Sequence, residues 1–202
     1  MNFSFLWIIL AMADYGAFHS LMASTMVKSA VEKQYPVIYM RYYRLGYNIV
    51  AVVTLIPIGL LVYLLPDRLL YTLPFPLNIV ALLAQAAAAL GALLTLMGTG
   101  LNDFLGVNQI LGVQSVPGKL KTDGLYRLVR HPVYTLGFII MWLLPWMTVN
   151  RLALIISTSI YMVIGAHLEE RRMLREFGEE YAQYKQRTPM FFPGKGNFSS
   201  MD

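Results

Sequence analysis

Two short stretches of this 202-residue chain carry most of the side chains able to do chemistry. The first is Gly124-Leu125-Tyr126-Arg127-Leu128-Val129-Arg130-His131-Pro132-Val133-Tyr134-Thr135-Leu136-Gly137. Pro132 biases His131 away from helical backbone and suits the first position of a new helix. The chain is therefore expected to break at His131. The helix that follows would open with N–H groups that attract carboxylates and phosphates, and Arg130 strengthens that attraction. The arginines read equally as a basic anchor whose stems snorkel at a helix start.

The second stretch is His167-Leu168-Glu169-Glu170-Arg171-Arg172-Met173-Leu174, which continues an apolar segment out of a bilayer. At about 100° per residue, Glu170, Leu174, Phe177, Tyr181 and Tyr184 fall within about 40° of one another. His167 lies about 60° from Glu170 on the same side, while Glu169, Arg172 and Glu179 point elsewhere. A carboxylate on an apolar stripe is costly without a partner. Either it serves a bound group, or it pairs with Arg130 or Arg127 to join two helices, and the residues alone leave both readings open.

Other polar residues carry less. Asp14 and His19 are five apart in one apolar segment, so they do not share a helical face, and His19 reads as a hydrogen-bonded packing residue. Three histidines without a cysteine make a poor metal set. Gly98-Thr99-Gly100 has no preceding strand and no third glycine at the spacing a dinucleotide fingerprint needs. Tyr39, Tyr42, Tyr43 and Trp142 suit an interfacial belt or packing.

The elements that must position these residues are membrane helices. The chain is 57% hydrophobic and only 13% charged, about half the charge of an average soluble domain. A spanning helix needs about 20 mainly apolar residues. Such stretches run from about Phe3 to Met26, Leu45 to Leu65 and Pro76 to Met97. The third contains small residues from Ala84 to Ala92 that let a neighbouring helix approach closely. The apolar block from Val133 to Ala166 is too long for one span. Pro145 and Thr148-Val149-Asn150-Arg151 divide it into a hairpin whose first helix is short, or else it forms one kinked helix.

Positive charge decides between these. Lys28, Lys33, Arg41 and Arg44 follow the first span, and Lys119, Lys121, Arg127 and Arg130 follow the third. Arg171, Arg172, Arg175, Lys185, Arg187 and Lys195 lie in the tail, leaving only Arg68 and Arg151 in the remaining turns. About five spans with the N-terminus outside put fourteen positive residues on the cytoplasmic side and two outside. A single kinked helix would put the six tail charges outside instead. The expectation is an all-α polytopic membrane protein of about five transmembrane helices, with a C-terminal helical hairpin and a cytoplasmic helix, in the cytoplasmic (inner) membrane. Residues 1–202 form one integral membrane domain, with three N-terminal spans in residues 1–98.

The net charge of +5 belongs to this asymmetry and not to nucleic-acid binding. With no cysteine, disulfides, thiolate metal sites and thiol nucleophiles are excluded. No Lys or Arg precedes the first apolar run, so it reads as a retained span and not a signal peptide. Asn2-Phe3-Ser4 and Asn197-Phe198-Ser199 match the glycosylation triplet, a match common by chance, and residues 194–202 read as a frayed tail.

The two polar stretches resemble the signature of the isoprenylcysteine carboxyl methyltransferase family and its relatives among phospholipid and small-thiol methyltransferases. The residues that carry the resemblance are Gly124, Tyr126, Arg130-His131-Pro132, Tyr134 and Gly137, then Glu169-Glu170, Leu174, Phe177-Gly178, Tyr181, Tyr184 and Pro189. It covers roughly residues 105–193. In the N-terminal half, His19-Ser20-Leu21-Met22-Ala23-Ser24 and Arg44-Leu45-Gly46-Tyr47-Asn48 look like bacterial members of the group.

What the resemblance implies is an S-adenosylmethionine-dependent methyltransferase whose cofactor comes from the cytosol and whose acceptor comes laterally from the lipid. It implies catalytic roles for Arg130 and Glu170. Tyr126, His131, Pro132, Tyr134, Gly137, Glu169, Glu170 and Tyr181 would bind the cofactor. A sulfonium donor already carries an activated methyl, so transfer chiefly requires positioning and desolvation. The acceptor is a small thiol, an isoprenylcysteine carboxylate or a lipid headgroup, and no obligate protein partner is evident. Two other readings stand beside this one: a membrane reductase of the related sterol-reductase type, and a non-catalytic scaffold whose Arg–Glu pair is structural.

Overall fold

In a computed structural model of the chain, residues 3–113 and 119–194 are described. Asn2 of the first glycosylation triplet, the whole second triplet, Lys195 and the tail beyond Gly194 lie outside the described residues. In chain order the helices are α1 (Ser4–Ala23), α2 (Thr25–Gln34), α3 (Pro36–Leu64), α4 (Leu77–Gly98), the short α5 (Leu101–Leu105) and α6 (Val107–Ile110), α7 (Pro132–Trp142) and α8 (Val149–Arg187). A 3₁₀ turn covers Gly124–Arg127, and two short strands, β1 (Leu69–Thr72) and β2 (Trp146–Thr148), pair antiparallel.

Among the described residues four helices, α1, α3, α4 and α8, are long and apolar enough to cross a membrane. The first span is shorter than expected. Ser24 leaves helical backbone and its Oγ accepts the Val27 N–H at 3.3 Å, closing α1 and capping α2. The apolar block after Val133 is a hairpin and not one kinked helix, with β2 set between its two arms. Its first arm, α7, has 11 residues. That is about 16 Å of helix against a hydrocarbon core of about 30 Å, so four helices rather than five are long enough to span.

The chain divides into two compact units. The first comprises residues 1–72, 100–117 and 146–158. Here α1 packs on α3 around Ile8, Val62 and Ala153. The Tyr43 hydroxyl donates to the Met22 carbonyl at 2.5 Å, and the Tyr47 hydroxyl hydrogen-bonds His19 Nε2, as a packing histidine requires. Arg44 Nη1 and Asn48 Nδ2 donate to the Asp103 and Phe104 carbonyls. Gly106 (φ 90°) lets this turn lie against α3, since a Cβ there would come within 2.6 Å of the Leu45 nitrogen. Pairing of Leu69 with Thr148 brings together the turns that hold Arg68 and Arg151. Asn150, 1% exposed, fastens them: its N–H donates to Asp67 Oδ1 at 3.0 Å and its side-chain amide to the Leu65 carbonyl. The two turns expected on one face of the membrane are thus physically joined.

The second unit comprises residues 73–99, 118–145 and 159–202 and contains both polar stretches. The small-residue stripe of α4 does what its composition suggests. A Cβ on Gly91 would sit 3.3 Å from a Leu136 methyl, and Gln85 Nε2 donates across to the Ile140 carbonyl at 2.6 Å. The other side of α7 packs on α8, where a Cβ on Gly137 would meet Met162 at 3.2 Å. The third span therefore belongs to the same unit as the polar stretches.

Candidate functional site

Pro132 opens α7 as expected, at its first position, with His131 outside the helix and no side chain capping the first turn. That break turns Arg130 toward α8. Its Nη2 lies 2.5 Å and its Nε 2.6 Å from Glu170 Oε1. Both side chains are buried, at 8% and 3% exposure. The opposite carboxylate oxygen is met by Lys185 Nζ at 2.8 Å, whose side chain remains 44% exposed. Arg130 Nη1 donates to the carbonyls of Lys185 and Thr188. A buried ion pair is tolerable only when its remaining donors are satisfied, and here they are.

Lys185 reaches Glu170 because α8 is not straight. Gly178 has φ 54° and ψ −125°, outside helical space and open only to glycine. Beyond it, Tyr181 and Tyr184 are buried and the chain continues past Arg187 as a strap. Arg130 N–H donates to the Pro189 carbonyl at 2.8 Å and His131 N–H to that of Met190 at 3.1 Å. The Thr135 hydroxyl donates to the Phe191 carbonyl at 2.7 Å. The Phe191 ring lies 5.8 Å from the His131 ring and meets Phe138 edge-on at 5.3 Å.

His131 sits between the two carboxylates. Nδ1 is 3.7 Å from Glu169 Oε2 and Nε2 is 3.5 Å from Glu170 Oε1. Burial holds its pKa below the ordinary imidazole value, outweighing the pull of Glu169 and Glu170 toward the charged form. The ring is neutral at pH 7, so these contacts are dipolar and not ion pairs. It is 7% exposed, yet Nε2 has no hydrogen-bond partner among the described residues. Tyr134 stacks on it at 5.4 Å and 15°, and donates its hydroxyl to Glu169 Oε2 at 3.3 Å. Glu169, 39% exposed at its side chain, is the accessible carboxylate of the pair.

The structure thus gathers Arg130, His131, Tyr134, Glu169, Glu170 and Tyr181, and Tyr181 lies close enough to feel both Arg130 and Glu170. Tyr126 is tied in through its backbone, its carbonyl accepting the Tyr184 hydroxyl at 2.7 Å. Burial, with Glu169 nearby, pushes the Tyr126 phenol above its ordinary pKa. Pro132 is buried at the helix start. Gly137 stands apart, in the contact between α7 and α8. Leu174 and His167 do not join the cluster: Leu174 is 36% exposed, and the exposed His167 turns its Nδ1 to the Val163 carbonyl. Sequence reasoning does not reach Lys185, Thr188 or Thr135. Gly178, between Phe177 and Glu179, is the available signal that a straight helical wheel fails here.

Fold and site together define an α-helical polytopic membrane protein with a buried Arg–Glu pair, joined by the half-exposed Lys185, in the middle of its last long helix. The chain belongs to the family described as protein of unknown function (DUF1295), which matches residues 34–188. It is similar to methanethiol S-methyltransferase 1 of Bradyrhizobium diazoefficiens, 46% identical over 87 residues, a match covering 43% of this chain and 30% of that protein. It is also similar to the methanethiol S-methyltransferases of Crocosphaera subtropica (35% identical over 118 residues, 55% and 46% covered) and Pseudomonas deceptionensis (38% over 96 residues, 45% and 36% covered). The matches cover less than half the length of each of these relatives. No solved structure matches the chain significantly. The resemblance to membrane methyltransferases, read from two motifs, holds at the level of the family.

Proposed function

We propose that this chain transfers a methyl group from S-adenosylmethionine to a small thiol, at a site on the cytoplasmic side of the inner membrane. The observation that carries the reading is the buried His131 ring set between two carboxylates, with Nε2 toward the inaccessible Glu170 and Nδ1 3.7 Å from the accessible Glu169. Glu169, 39% exposed beside Nδ1, is the group of this cluster that a ligand can reach, and a carboxylate held beside buried polar groups gains from a cationic partner.

The donor set suits a zwitterionic amino-acid group. Glu169 and Tyr134 would take its ammonium, and His131 with the uncapped first turn of α7 would take its carboxylate. S-adenosylmethionine supplies an electrophilic methyl on a positive sulfur. Arg130, Glu170 and Lys185 hold the break before α7 and the strap after α8 in register, which fixes where His131 and Glu169 stand. The ring of Phe191 closes the side of His131 and keeps water from it. In the transfer the methyl carbon–sulfur bond of the sulfonium would break as one forms at the acceptor sulfur, the donor leaving as a neutral thioether and the thiol proton passing to solvent water.

The names of the relatives favour a small thiol over an isoprenylcysteine carboxylate or a lipid amine. The distribution of Lys and Arg favours the cytoplasm for the site. Isothermal titration of the purified chain with S-adenosylmethionine and its demethylated product tests cofactor use, and absence of heat at millimolar ligand rejects it. Transfer of labelled methyl to thiol, lipid and prenylcysteine panels then decides the acceptor. One observation favours a structural reading instead: Glu170 is held by Arg130 and Lys185, and Arg130 is bonded throughout to protein groups. That reading predicts no binding and no labelled product.

A further inference from the structure

Far from this chemistry in sequence, α1 carries one carboxylate in an otherwise uncharged helix. Asp14 is the eleventh of the twenty residues of Ser4–Ala23, about 15 Å from either end and so near the middle of the hydrocarbon. It is exposed on the helix surface. Two adjoining grooves of about 440 and 400 Å³ meet at it, sharing Ala11, Asp14 and Leu61. One is otherwise lined by Trp7, Leu10 and Leu65, and the other includes Pro57, Ile58 and Thr54 of α3. Among the described residues Asp14 is the sole charged one in either lining.

A carboxylate at this depth costs free energy unless something positive meets it, because the medium screens charge poorly. The chemistry of the groove narrows what that is. A metal ion needs several hard oxygen ligands, and the Thr54 hydroxyl is committed to the Val50 and Ala51 carbonyls. An acyl chain would satisfy the apolar walls and leave the charge unmet. A second copy of this chain offers no lysine or arginine there from its first three spans, since residues 3–27, 45–67 and 69–113 contain neither. Pro57 adds to the negative character. It brings no N–H, so the Val53 carbonyl lacks its helical donor beside the groove.

We infer that the groove between α1 and α3 binds a lipophilic organic cation, an onium or ammonium charge carried on apolar substituents, with Asp14 as its counter-ion. Size, apolar walls and one carboxylate match that class. The site does not depend on the methyltransferase reading.

The test is binding of tritiated tetraphenylphosphonium to the full chain in phosphatidylcholine nanodiscs, with nanodiscs lacking protein as background. One saturable site per chain is expected. Asp14→Asn should weaken it at least tenfold, Asp14→Glu should stay within threefold, and uncharged triphenylphosphine oxide should compete poorly. Leu10→Trp keeps the carboxylate, narrows the groove and should also weaken binding, so it carries the test if Asp14→Asn fails to fold. Equal binding by Asp14→Asn, or equal competition by the uncharged compound, assigns the groove to acyl chains and overturns the inference. A dimer that forms in wild type and is lost in Asp14→Asn assigns it to a second copy and overturns it too.

Discussion

Arg130 and Glu170 stand forty residues apart in the chain and 2.5 Å apart in space, both almost wholly removed from solvent. One belongs to the break before α7 and the other to the middle of α8, so the pair fixes how these two elements meet. The pair is not where a ligand can touch freely. Accessibility falls to Glu169, one residue earlier on the helix.

Breaking the pair on one side should therefore be worse than removing both partners. Glu170→Gln leaves a buried guanidinium without its counter-charge, which costs about 3 kcal/mol. At about 2–4 °C per kcal/mol for a chain of this size, the detergent-solubilised variant should melt roughly 10 °C below wild type. Adding Arg130→Gln should restore part of that loss, giving a coupling of about 1–3 kcal/mol in a double-mutant cycle. Strict additivity would mean the pair is not energetically linked.

Lys185 should behave differently, although it binds the same carboxylate at 2.8 Å. With 44% of its side chain exposed, solvent screens the contact and its worth is at most about 1 kcal/mol. Lys185→Met should shift thermal unfolding by no more than about 4 °C. Its effect should show in the strap, as faster amide exchange at residues 188, 190 and 191, measured by mass spectrometry.

Much of this arrangement is legible in the residues themselves. Pro132 marks the break at His131, Pro145 marks the hairpin, and a wheel drawn from Glu170 reaches Tyr181 and Tyr184. Two things are not legible. The wheel assumes a straight axis, and the backbone of Gly178 ends that assumption, which is why Lys185 arrives where no periodicity puts it. The strap binds through the carbonyls of Thr188, Pro189, Met190 and Phe191, and every residue type offers that acceptor. A pattern of side chains holds no record of such bonds. The shortness of α7 is readable from Pro145, but whether an 11-residue helix counts as a span is not.

Gly178 yields a sharp prediction because space is not the issue. A Cβ placed there meets nothing within 4 Å, so only the backbone resists. Its φ of 54° with ψ −125° is a region L-residues avoid, and forcing alanine into it costs about 1–3 kcal/mol. Gly178→Ala should therefore straighten α8 or destabilise the chain by that amount, with Lys185 drawn off Glu170. Gly194→Ala, likewise unobstructed but without a positive φ, should be silent in the same unfolding assay.

The pH dependence of stability follows from His131. Burial lowers its pKa in the folded chain below the ordinary value of about 6.5 that the unfolded chain shows. Between those two values the unfolded state binds more protons, so acid favours unfolding. The contribution is complete above about pH 6.5 and is lost as pH falls from there through the lower folded value, at no more than about 1.4 kcal/mol per pH unit. Thermal unfolding between pH 7.5 and 5.5 should thus show a fall that His131→Gln removes in part, because a neutral amide has no proton to gain. The paired Glu169→Gln variant separates the causes. Glu169 stabilises the charged imidazole, so its loss should deepen the acid sensitivity, and a shallower slope in that variant would show that burial does not govern this histidine.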